Sequence, residues 1–151
     1  MRYLAAAVAI FFAFLIQFKV SILSVQPNLV AVLAYYAGIT RGEYRGLAAG
    51  LVLGAIEDSI ASTIIGPNML GKGLVGFLSS FFISGGMLVW TPLLGVIGLF
   101  GLTLLDNAVV FMSLGIFEHV PANISTAIFI SLMQAILNSA AGTFIKPRHA
   151  D

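Results

Sequence analysis

The chain has no cysteine, only 9% charged residues and a net charge of +1. Without cysteine there is no disulfide framework and no thiolate metal site, although compartment stays open. The small net charge and the absence of a long basic cluster exclude a nucleic-acid partner. The chain also lacks a phosphate-cradling G-x-x-x-x-G-K-[ST] loop and any nucleophile–base arrangement. Its two histidines, His119 and His149, have no companion at metal-ligand spacing. Neither Gly66-Pro67 nor Glu57-Asp58 forms a recognisable intramembrane-protease motif. No catalytic residue, cofactor or metal is expected, and the chain reads as something other than an enzyme.

Apolar residues are what the chain has instead. They make up 60% of it, with a mean hydropathy of +1.07, against about 45–50% apolar in soluble domains. The expected fold is an all-α integral membrane protein, a single domain over 1–151. A span needs roughly 20 apolar residues, so this length allows about six spans in one compact bundle, with no room for an extramembrane domain. Continuous rather than alternating apolar runs favour helices over a barrel.

The spans are read at 3–18, 27–40, 46–65, 69–84, 93–117 and 124–145. The first follows Met1-Arg2 like a signal peptide, but no small-x-small site follows it, so it reads as an uncleaved span. Pro27 suits the first turn of the second span. That span is short, and the stretch from Ser21 to Asn28 is either helical or re-entrant. Trp90 suits a membrane interface. With six spans, Arg2, Arg41, Arg45, Lys146 and Arg148 share one side and Lys19 lies on the other, which places both termini in the cytoplasm.

The sequence holds six acids, and two adjoin inside the third span. At about 100° per residue, Glu57 lies in the stripe of Gly46, Gly50, Gly54 and Ala61, while Asp58 lies at its edge. Small residues every fourth position let helices approach closely, so Glu57 is expected to face another helix. A buried acid serving assembly is the plainer reading; an ion-coupling site and a ligand or partner contact are the rivals. Asp106, beside Asn107 in the fifth span, is expected to meet the Glu57/Asp58 pair if the third and fifth spans pack together. Otherwise it bonds to Asn107, Gln134 or Asn138. Lys72, among Gly71, Gly73 and Gly76, is expected to snorkel to the surface rather than pair with Asp58. Ser131, Gln134, Asn138 and Gly142 form one polar, small face on the sixth span, read as packing glue, with a polar ligand pocket as the alternative. Ala5, Ala9 and Ala13, then Gln17, share one face of the first span, read as intramolecular packing or chance spacing, with a docking face for a partner helix as the alternative.

Pro27-Asn28, the basic loop with Arg41 and Arg45, then Gly50-x-x-x-Gly54-x-x-x-Asp58 and the closing Gly66 resemble the bacterial rod shape-determining protein MreD family. Asp106 is a weaker match, and Glu57 stands where an apolar residue is more familiar. The resemblance is strongest from Pro27 to Gly66 and extends over the whole chain in size and hydropathy. It implies a non-enzymatic scaffold of the cell-elongation complex, in the bacterial inner (cytoplasmic) membrane, supporting sidewall peptidoglycan synthesis and cell shape. The implied partners are membrane lipid, the single-span protein MreC, the polymerase RodA with its class B penicillin-binding protein, and MreB indirectly. The family's fold also looks like the substrate-binding membrane subunit of energy-coupling-factor vitamin transporters. That is the alternative function, and Ala5-x-x-x-Ala9 resembles the docking face of such subunits.

Overall fold

The computed structural model describes residues 2–22, 24–61, 64–81, 90–117 and 123–147, with the side chains of residues 2–7 and 9 left out. The expected end of the fourth span, with Gly85-Gly86, and the loop carrying His119 lie outside these residues. Six α-helices follow in order: α1 Arg2–Lys19, α2 Leu29–Arg41, α3 Glu43–Ala61, α4 Pro67–Leu78, α5 Pro92–Ile116 and α6 Ile124–Ser139. A 3-10 turn, Ala140–Thr143, extends α6. α5 and the run Ile124–Thr143 are long and apolar enough to cross a membrane; Ile10–Lys19 and Leu29–Arg41 are shorter apolar helices.

Local chemistry sets the helix starts. Asn28 accepts the Ala31 N–H and begins α2. Thr91 accepts the Leu94 N–H with Pro92 as the first helical residue of α5, and Asn123 accepts the Thr126 N–H at the start of α6. Each side chain answers an N–H that the first turn cannot satisfy itself. Pro27 therefore precedes the cap of α2 rather than sitting in its first turn. Between α1 and α2 the chain is not helical: Ile22 and Val25 exchange backbone hydrogen bonds around Ser24, whose φ is 64°.

α3 and α4 form the most extensive helix contact. Gly46, Gly50 and Gly54 make it possible. A Cβ on any of them would run into the α4 backbone, at the carbonyls of Gly76, Lys72 and Asn68 in turn. The one-residue turn before α3 uses Gly42 at φ 86°, a conformation open to glycine. α4 also packs on α2 and α5, and α5 on α6, so α4 lies between α3 and α5. The third and fifth helices thus do not form the expected pair. Tyr35, Leu53, Val75, Leu99 and Leu102 are the centre of the apolar core.

Candidate functional site

The glycine contact sets α3 beside α4 so that Asp58 reaches the start of α4. There it accepts four hydrogen bonds. Oδ2 takes the Gly66 N–H at 2.8 Å and the Met69 N–H at 3.1 Å. Oδ1 takes the Asn68 N–H at 3.1 Å and the Asn68 side-chain amide at 2.9 Å. Gly66, at φ 142°, is the cap position of α4 and brings no capping side chain of its own. Asp58 supplies the cap from the neighbouring helix, and the positive end of the α4 dipole faces its charge. It is 1% exposed, so it lies fully inside the contact rather than at its edge.

Lys72 sits one helical turn after Asn68, on the same face of α4. Its ammonium donates to Asn68 Oδ1 at 2.7 Å and to Asp106 Oδ2 at 3.1 Å. Glu57 Oε2 lies 2.8 Å away as a close ion pair, in a geometry short of a full hydrogen bond. An ammonium has three donors, and three oxygens surround this one. Lys72 is 1% exposed. It does not snorkel, and it pairs with Glu57 and Asp106 rather than with Asp58. The acids of α3 and α5 are therefore joined through a cation on the helix between them.

Amides extend the ion pairs into the remaining helices. Gln17 of α1 donates to Glu57 Oε1 at 2.7 Å and accepts the Val30 N–H at 3.1 Å. Asn28 donates to Asp106 Oδ2 at 2.7 Å. Asn138 of α6 donates to the Asn28 carbonyl at 2.9 Å and to Thr103 Oγ1 of α5 at 3.3 Å. Gln134 donates to the Gln26 carbonyl at 2.9 Å. A single polar seam thus touches every described helix. A buried ion pair adds little stability over well-packed apolar groups, but losing one member leaves a stranded charge. Every helix arrangement that separates Lys72 from both acids therefore carries that cost.

The structure brings together Asn28, Glu57, Asp58, Asp106 and Asn138, with Gly50, Gly54 and Gly66 setting the distances. Pro27 orients the chain before the Asn28 cap, and Ala13 is half-buried on α1. The side chains of Ala5 and Ala9 lie outside the described set. Sequence reasoning missed Lys72, Gln17, Asn68 and Thr103 as members. The four-residue Asn68–Lys72 step was the available signal. Among the described residues no His, Asp and Glu cluster has the makings of a metal site.

An all-helical bundle with two helices long and apolar enough to cross a membrane, in a chain that is 60% hydrophobic, fits a multi-pass membrane protein. A family model narrows this further: the chain belongs to the rod shape-determining protein MreD family, whose model matches residues 1–144. That membership carries a role in rod shape determination and an association with the shape machinery, in a family that is generally non-enzymatic. Neither a search of curated proteins nor one of solved structures returned a match.

Proposed function

We propose that this chain is a non-enzymatic scaffold of the cell-elongation complex, spanning the bacterial inner membrane several times. It would hold an MreC-like single-span protein together with a RodA-type polymerase and its class B penicillin-binding protein, with MreB reached indirectly. The observation that carries the reading is the seam. Its charged groups are spent on one another: the Lys72 ammonium donates to Asn68 and Asp106 and pairs closely with Glu57. Such an arrangement favours holding one shape over turning over a substrate.

On a six-span reading, the excess of cations on one side favours both termini in the cytoplasm. The exposed Arg41 and Arg45 flank the α2–α3 turn, and with Lys146 they fall on the side opposite Lys19. Burial of Lys72 within the bundle supports this placement, because it removes a cation from the outer-side tally.

Depletion of the protein in a rod-shaped cell tests the reading. Cells should widen and round, wild type should restore them, and an MreC-like protein should co-purify. Unchanged cell width after depletion would refute the scaffold, and uptake of a vitamin by the purified, reconstituted protein would favour the transport alternative.

A further inference from the structure

The seam ties the described helices together at one level, and the two sides of the bundle measured from that level are unequal. Toward the Arg41 side, α1 runs from Gln17 back to Arg2, α2 from Asn28 on to Arg41, α3 from Glu57 back to Glu43 and α5 from Asp106 back to Pro92. At about 1.5 Å per residue each of these runs is about 20–22 Å, so the four helices end flush. Lys146, 5.9 Å from the centroid of the Trp90 ring, brings the end of the α6 run to the same level.

Toward the Lys19 side the lengths part. There α1 stops at Lys19, α2 starts beside Asn28, α3 stops at Ala61 and α4 starts at Pro67, all within about 8 Å of the seam. α5 continues from Asp106 to Ile116, and α6 comes down to Asn138 from Ile124, runs of about 15 and 21 Å. No residue of α5 after Asp106 is buried, and none of α6 before Ala135. This half of the hairpin is an arm that stands about 10 Å beyond the other helices.

The surfaces differ as the lengths do. On the arm, Met112, Ile116, Ile124 and Phe129 are exposed. The groove between its two helices, of about 300 Å³, is walled by apolar side chains such as Leu104, Phe111 and Ile128, with Asn107 and Ser131 the polar residues in its lining. At the short ends, Lys19, Ser21 and Ser24 are exposed instead. A flat hydrocarbon slab of about 30 Å suits one surface or the other. Set high enough to cover Ile116, it sinks Lys19 about 10 Å, where a charge is expensive. Set at Lys19, it leaves the apolar tip of the arm in water.

We propose that the bilayer around this protein is stepped. On the Lys19 side, phospholipid headgroups and water dip to the ends of α1–α4, and the leaflet stands about 10 Å higher around the α5–α6 arm. The protein thus thins the membrane along one flank only, and the mismatch is taken up by lipid. The inference rests on the multi-pass reading and is independent of which proteins bind.

Depth measurements on the full chain in phosphatidylcholine nanodiscs test the step. The chain has no cysteine, so Val20→Cys, Ile116→Cys, Tyr44→Cys and Leu93→Cys each take one fluorescent label, all at exposed positions. Quenching by lipids brominated at graded positions along the acyl chain reports depth. Labels at Val20 and Ile116, about 10 Å apart in height, should both report the headgroup boundary. Labels at Tyr44 and Leu93 should share one depth on the opposite side. A Val20 label about 10 Å deeper than the Ile116 label would mean a flat bilayer and overturn the step. An Ile116 label that no lipid quenches would put the arm in water and also overturn it. Depths at Tyr44 and Leu93 that differ by about 10 Å would mean a tilted bundle in a flat bilayer, with the same consequence. No quenching at any of the four positions would refute the multi-pass reading together with the step.

Discussion

The seam and the groove both hold side-chain amides and treat their N–H groups in opposite ways. In the seam, Gln17, Asn28 and Asn138 donate across helix boundaries, and Lys72 closes the circuit between two acids. In the groove, Asn107 and Ser131 meet no partner among the described residues. Polar groups within a bundle therefore have two uses. Paired, their donors join the chain's own helices; in the groove, the Asn107 amide is buried and joins nothing among the described residues. Mutations should separate the two regions by whether they cost the fold stability.

The largest effect is expected at Lys72. Lys72→Met strands Glu57 and Asp106 together and should cost about 3–5 kcal/mol, measured by reversible unfolding in detergent micelles. Gly50→Val comes next. Its new side chain meets the Lys72 carbonyl, so α3 and α4 must part, and about 3 kcal/mol should be lost by the same measurement.

The two adjoining acids should then differ. Asp58→Ala uncaps α4 and should cost about 2 kcal/mol. Glu57→Gln should cost nearer 1 kcal/mol, because Asp106 still balances the Lys72 charge and the new amide can still accept from Gln17. Side-by-side unfolding curves order the pair, and a larger loss at Glu57 would break the distinction. The smallest effect belongs to the groove. Asn107→Leu removes an unpaired buried amide and no hydrogen bond, so it should cost no stability and should raise it by up to about 1 kcal/mol.

The helices themselves were legible because spans announce themselves by composition. Pro92, Asn28 and Asn123 mark starts that the structure places within a residue or two of expectation. The glycine stripe was legible too, because a four-residue step of small side chains has one physical use in a helix pair. Asp58 shows where this kind of reading stops. A helical wheel gives the face of a residue but not the height at which a neighbouring helix begins, and Asp58 is defined by the start of α4. Lys72 fails for a related reason. Periodicity within α4 does not reveal which helices flank it, so a lysine near the end of a short span reads as a surface residue. Only the order α3–α4–α5 turns it into a bridge. Ala5-x-x-x-Ala9 falls in α1, with its side chains outside the described set.

The bridge is tested most directly by a double-mutant cycle. Unfolding free energies are needed for wild type, Lys72→Met, Asp106→Leu and the double variant. If Lys72 joins the helices as described, the two changes are strongly coupled, by about 2 kcal/mol, and the double variant is more stable than Lys72→Met alone. Losses that add to within about 0.5 kcal/mol would mean that the two residues do not interact, and would contradict the account.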